Sequence, residues 1–371
     1  MSVKVKTIVR WMEEWAPPHL AEKDDPIGLQ IGSPERDVTR VAVALDVTEA
    51  VVEEAAQRGA EMVVAHHPVL FRPMPTIRFD RPDGRLISAL IRHNMSVYAA
   101  HTNLDVAPGG INDMLAEALG LQQTVPLKAS MYETLYKLVV YVPKEQLEAV
   151  QDAVFEAGAG RLGNYSGCGF YVVGTGSFQP EEGSDPFIGE QGQTERVEEA
   201  RFETIMPDSC RAEVIQAMLA AHPYEEVAYD VFRLEQRGPA FGLGRIGSLP
   251  EAVTLREFAE HVKRMLQVPG LRFAGDEAKA VRTVAVLGGA GRSFVKHALA
   301  AGADVFVTGD VDHHTAHDAL AAGMAVVDPG HHIEQLMKTV IAARLNERMK
   351  REGVEAEAYP SPLPTEPFRF L

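Results

Sequence analysis

Six short runs of small and β-branched residues set the terms on which this chain can fold. They are VAVALDV (41–47), EMVVAHH (61–67), SVYAAHT (96–102), TVAVLGGA (283–290), DVFVTGD (304–310) and MAVVDPG (324–330). Each is apolar throughout rather than alternating, and amphipathic stretches of helical period separate them. Strands that are apolar on both faces belong to parallel sheets covered by helices. The pattern predicts an α/β protein with mainly parallel sheets. Three runs fall in the first 130 residues and three in the last 90, and neither flank holds a complete sheet. They read as two halves, 1–133 and 237–371, of one split domain.

Between the halves the grammar changes. Strand YKLVVYVP (136–143), helix KEQLEAVQDAVFEAG, two glycine-rich strands, helix DSCRAEVIQAMLAAH and strand EVAYDVFRL (226–234) make a βαββαβ order. That order predicts a ferredoxin-like α+β insert over 134–236. The insert carries 18 acidic and 7 basic side chains, so 11 of the 16 net negative charges sit there. A solvated acidic surface accounts for them.

The same charge argues against nucleic-acid binding, which needs clustered Lys and Arg to displace counterions. No run approaches the eighteen apolar residues of a membrane span. The N-terminal MSVKVKTIVRWMEEW has acids where a secretory core would lie, so a cytoplasmic protein is expected. Two cysteines, Cys168 and Cys210, are too few for a disulfide framework. Any metal must be held by histidine and carboxylate.

Histidine is where the chemistry concentrates. Eight of the 13 histidines are His66, His67, His101, His313, His314, His317, His331 and His332. His66 and His67 end one predicted strand, and His101 ends the next, with Asp105 four residues on. His331 follows MAVVDPG, with Glu334 three residues later on one helical face. Ligands in open α/β sheets bind outside the carboxyl ends of the strands, so these loops can converge across 230 residues of chain. Adjacent histidines on extended chain point apart, but at a strand end turning into Pro68 both can address a pair of ions. His, Asp and Glu without Cys suit a catalytic site for two divalent ions, with zinc, iron or manganese as candidates. His314 is expected to face the site, with His313 and His317 on the surface. His19, His93, His261 and His297 read as structural.

Two glycine-rich stretches carry less. GGAGRSF (288–294) joins a strand to a helix whose amides suit an anion, but it lacks both nucleotide fingerprints. GTGSFQPEEGSDPFIG in the insert reads as an ordered loop for partner contact. No nucleophile elbow is present.

The motifs DDPIGLQIGSP, AHHPVLFRP, AAHTNLDVAPGGIND, GGAGRSF, TGDVDHH and DPGHHIE, in this order, resemble the dinuclear-metal family related to NGG-interacting factor three, also known as type-two GTP cyclohydrolase I homologues. The insert resembles the PII/CutA-like domain of its longer bacterial members. The resemblance implies a toroidal homohexamer and places the ligands at His66, His67, Asp105, His331 and Glu334. Some relatives set the glutamate four residues after the histidine, and many have Lys-Tyr-His where this chain has Asp312-His313-His314.

Two functions are expected from these readings. In the first, the protein is a hydrolase opening a nucleotide ring or cleaving a phosphoester with water activated between two divalent ions per subunit, bridged by Glu334 or Asp105. His101 and His314 would do acid–base work, and Arg292 is the nearest phosphate contact. In the second, it is a non-catalytic metal-binding hexamer whose insert binds a regulator or partner.

Overall fold

A computed structural model describes residues 2–371. Two compact units emerge, a split one of Met1–Ser130 with Phe241–Leu371 and an inserted one of Met131–Ala240. In chain order the split unit begins with β1 (Val3–Lys4), α1 (Val5–Trp15), β2 (Gly28–Ile31), β3 (Asp37–Val38), β4 (Arg40–Ala44), α2 (Glu49–Gln57), β5 (Met62–Ala65), α3 (Pro82–Arg92), β6 (Ser96–Ala99), α4 (Thr102–Val106) and α5 (Ile111–Ala118). The long β7 (Gln122–Pro143) leads into α6 (Leu147–Glu156), β8 (Gly169–Phe178), β9 (Glu195–Pro207), α7 (Arg211–Ala221) and the long β10 (Tyr229–Thr254). The split unit then resumes with α8 (Leu255–Met265), β11 (Arg272–Ala274), β12 (Ala280–Ala290), α9 (Val295–Ala300), β13 (Val305–Gly309), α10 (His313–Ala321), β14 (Ala325–Asp328), α11 (Met337–Arg351) and β15 (Glu357–Pro360).

The six apolar runs all become parallel strands, and β15 adds a seventh. β15, β4, β5 and β6 run parallel, and β2 closes that sheet antiparallel to β6. β12, β13 and β14 run parallel, flanked antiparallel by β10 and β11. The sheets are therefore mixed rather than mainly parallel. β2, β11 and β15 escape pattern reading because each is short and sits at a sheet edge. β15 is four residues with a Glu and a Pro, yet buries Ala358 and Tyr359.

Burial follows the runs. Every residue of β5 and β6 is buried, and Val51, Val52 and Ala55 of α2 pack with Ile87 and Leu90 of α3 on one face of the first sheet. Thr48 caps α2 by accepting from the Val51 N–H at 3.2 Å, and Thr254 with Glu257 forms a capping box on α8. A partly buried ion pair ties α5 to β10: the Arg245 guanidinium meets both Asp113 oxygens and donates to the Gly242 and Gly244 carbonyls at 2.9 and 2.8 Å.

The inserted unit shows the βαββαβ order, with antiparallel strands arranged β10-β7-β9-β8. Leu138, Val140 and Phe202 of the sheet pack against Val150 and Val154 of α6 and Val214 and Met218 of α7. Its boundaries fall inside β7 and β10 rather than in loops.

Candidate metal centre

Strand register brings the candidate ligands together. Ala44, Ala65 and Ala99 are register partners at the ends of β4, β5 and β6. Asp46, His66–His67 and His101 therefore leave the sheet side by side. From the second sheet, Asp310 follows β13 and His331 follows the turn after β14. His331–Leu336 is a 3₁₀ turn, whose three-residue repeat eclipses His331 and Glu334 more closely than an α-helix would. α4 does the same for Asp105, whose N–H donates to the His101 carbonyl at 3.1 Å.

Three groups result, the ligand atoms of each lying within 4.8 Å of one another: His66, His67 and His101; His67, His331 and Glu334; His66, Asp105 and Glu334. Glu334 divides its oxygens. Oε1 lies 3.7 Å from His66 Nε2, while Oε2 lies 3.3 Å from His67 Nε2 and 3.4 Å from His331 Nε2. Asp105 Oδ1 is 3.9 Å from His66 Nε2. One group is wholly buried, while the His67–His331 side opens to solvent.

The far side of each ring is anchored. His66 Nδ1 bonds the Ala100 carbonyl at 2.7 Å, His67 Nδ1 bonds Asp46 at 2.6 Å, His101 Nδ1 bonds Asp25 at 2.8 Å and His331 Nδ1 bonds Asp310 at 2.8 Å. With Nδ1 engaged, Nε2 is presented inward, the arrangement that fixes tautomer and orientation in metal sites. Asp25, Asp46 and Asp310 were not singled out by sequence reasoning. Their signal is nevertheless there: Asp46 and Asp310 lie just beyond strand ends, and Asp310 holds a left-handed φ of 57°, a conformation few residues other than Gly, Asn and Asp adopt.

The protonation of the cluster fits an anion-rich pocket. Burial lowers His67, but its hydrogen bond to Asp46 and the Glu334 carboxylate close by outweigh it and lift the ring to about 10. The Glu334 carboxylate beside its Nε2 lifts His331 to about 9 against its burial. Burial pushes Asp105 up to about 6, although His66 opposes it. Burial would raise Glu334 too, yet His66 and the other two rings hold it well below the usual carboxylate range. Without a cation, His67 and His331 are thus protonated at pH 7, and coordination through Nε2 requires those protons to leave. Loading with Zn²⁺ at pH 7 is expected to release protons, and the release should shrink above pH 10. Calorimetry in buffers of different ionisation enthalpy measures it; uptake at pH 7 without release would contradict the geometry.

The residues fit a metal. His66 Nε2, Asp105 Oδ1 and Glu334 Oε2 are buried with no hydrogen-bond partner, and each such group costs about 1–3 kcal/mol when left unmet. A divalent ion meets donors of this kind. The donors are nitrogen and oxygen alone, since both cysteines lie in the inserted unit.

The GGAGRSF turn serves this cluster rather than an anion. A Cβ on Gly288 would sit 2.7 Å from Glu334 Oε1, and one on Gly289 would sit 2.9 Å from the same atom. Gly288 N–H also donates to the Asn112 side chain, which in turn donates to the Asp105 carbonyl. Arg292 ion-pairs with Asp312 at 3.5 Å.

The expectation that His314 faces the site is not met. Asp312 caps α10 by accepting from the His314 and Thr315 N–H groups, which puts His314 in an exposed first turn beside His313. The acidic departure at Asp312 is thus a helix cap. His332 is engaged too, accepting from the Thr365 N–H at 3.3 Å. Among the described residues, no helix is long and apolar enough to cross a membrane.

Comparison with known proteins gives a consistent picture. The model of the family described as Duf34/NIF3 (NGG1p interacting factor 3) matches residues 3–367. A Halalkalibacterium halodurans protein named GTP cyclohydrolase 1 type 2 homolog is 47% identical over 366 residues, covering 99% of this chain and 98% of its own. A Bacillus subtilis protein of the same name is 47% identical over 370 residues, covering 100% and 99%. The crystal structure of a Bacillus cereus protein related to NIF3 superposes with a TM-score of 0.90 at 48% identity, covering 100% and 99% of the two chains.

Proposed function

The chain belongs to the Duf34/NIF3 family, and from that premise we propose that it is a metal-dependent hydrolase acting on a nucleotide ring or a phosphoester. The observation that carries this reading is Glu334, whose two oxygens face different histidines in a pocket of unpaired buried donors. His66, Asp105 and Glu334 would hold one ion, and His67, His331 and Glu334 would hold a second. Zinc, iron and manganese all suit the donors. When bound, such a pair supplies Lewis acidity and a water acidic enough to attack at neutral pH.

The chain's own groups do the rest. Asp46 and Asp310 keep the His67 and His331 rings aimed inward. Asp25 stays ionised because hydrogen bonds from His101 and Thr102 outweigh its burial. It fixes the His101 tautomer and leaves Nε2 free to carry a proton between substrate and solvent. The same reading makes the protein a cytoplasmic homohexamer with its metal pairs facing an internal cavity. The insert, on the support of its strand order, is a PII/CutA-like regulatory module.

Metal-loaded protein should turn over GTP or p-nitrophenyl phosphate, lose that turnover on chelation and regain it on reloading. His101→Gln should lower kcat about 100-fold at unchanged metal content, the loss expected of a general acid–base group. Full metal loading with no turnover on either substrate would overturn the hydrolase and favour a metal-holding assembly.

A further inference from the structure

A cavity of about 1120 Å³ opens over the cluster, with His67, His101 and His331 in its lining. That volume reaches beyond a phosphate or a water to an organic ligand of nucleotide size. Part of its wall is the end of the chain, Thr365–Phe370. This segment is held at both ends. The Thr365 hydroxyl donates to Asp46, the carboxylate that orients His67. At the other end the Phe370 ring lies so close to Gly270 that a Cβ there would fall 2.5 Å from it.

The wall is aromatic and largely exposed. Phe368 is 73% exposed and Phe370 49%. Phe71, 57% exposed, adds a third ring, edge-on to His101 at 6.1 Å. Among the described residues, no ring contact joins any of the three to another. Exposed rings around a cavity offer faces to a planar ligand.

Charge selects the rest of that ligand. Three carboxylates of the cavity face a histidine or a guanidinium, Asp46 with His67, Asp310 with His331 and Asp328 with Arg272, while Glu366 accepts from the Phe368 N–H and keeps its charge. Arg369 lines the same cavity and has no partner among the described residues. Arg369 is thus a guanidinium of the cavity that no carboxylate holds, and it stands near Glu366 in the chain.

We propose that the C-terminal segment is the substrate-binding wall, and that it takes a phosphorylated heteroaromatic molecule. Phe368 and Phe370, with Phe71, hold the ring beside His101, and Arg369 takes the phosphate. The ring, rather than the phosphate, then lies nearest the metal ligands. What happens to the substrate rests on the hydrolase reading; how it is held does not.

The test is binding of GMP, guanosine and ribose 5-phosphate to the full-length protein by calorimetry, both metal-loaded and chelated. Phe368→Ala should weaken GMP and guanosine about tenfold and leave ribose 5-phosphate unchanged. Arg369→Ala should weaken GMP and ribose 5-phosphate but not guanosine. Both side chains are exposed, so the variants should keep their fold and, by elemental analysis, their metal. Failure of the wild-type protein to bind GMP, or equal binding of all three probes by the variants, would overturn the proposal. Ring-selective binding that persists in chelated protein without turnover would uphold it while the hydrolase reading fell.

Discussion

Exchange of His66 and Glu334 together for alanine is expected to strip the protein of metal, as read by elemental analysis after loading and desalting. The choice follows from how the donors overlap. His66 belongs to two of the three candidate groups and Glu334 to two, so that every group loses at least one member. Metal ligands act as a set, and a buried site with two donors left cannot replace an ion's hydration. Both residues are buried, so the fold needs its own control. Glu334→Gln keeps the side-chain volume and one oxygen acceptor while discarding the charge, and it should weaken loading without unfolding. Circular dichroism separates the cases. Retention of about two ions per chain in the folded double variant would remove the site assignment.

Asp113→Ala is expected to destabilise the fold strongly although it lies away from the metal ligands. The Arg245 side chain is 6% exposed and Asp113 is 29% exposed. Removing the acid leaves the guanidinium buried with only the Gly242 and Gly244 carbonyls, which bring partial charge rather than a counter-ion. Breaking a buried pair from one side costs about 3–5 kcal/mol, and the loss should appear as a lower denaturant midpoint. Arg245→Met in the same chain removes the stranded charge, so the double variant should recover part of the loss. A double variant as unstable as the single would show that the pair's charge is not what matters there.

Much of this was legible in the sequence because the parallel strands are buried on both faces. The runs VAVA, MVVA and SVYA could be read as strands without knowing their order. The ends of those strands could then be read as a site, and His66, His67, Asp105, His331 and Glu334 do come together. What the letters hid was geometry. Nothing in TGDVDHH says that Asp310 turns toward His331 while Asp312 turns back to cap α10. The backbone decides that, through a left-handed residue at 310 and a helix starting at 313. Likewise GGAGRSF looks like an anion loop until Glu334, 46 residues later, fills the space a side chain would need. The C-terminal tail, EPFRFL, has no pattern at all, and its role depends on where Thr365 is tied.

The donors also come from distant points in synthesis. His66 and Asp105 are made early, and His331 and Glu334 follow only after more than 200 further residues. At about 5–20 residues per second, the first pair waits roughly 10–45 s on the ribosome for its counterparts. A nascent chain holds His66, His67, His101 and Asp105 but lacks Glu334, the carboxylate shared by two of the three candidate groups. Any ion whose binding needs Glu334 would therefore be held by finished molecules alone.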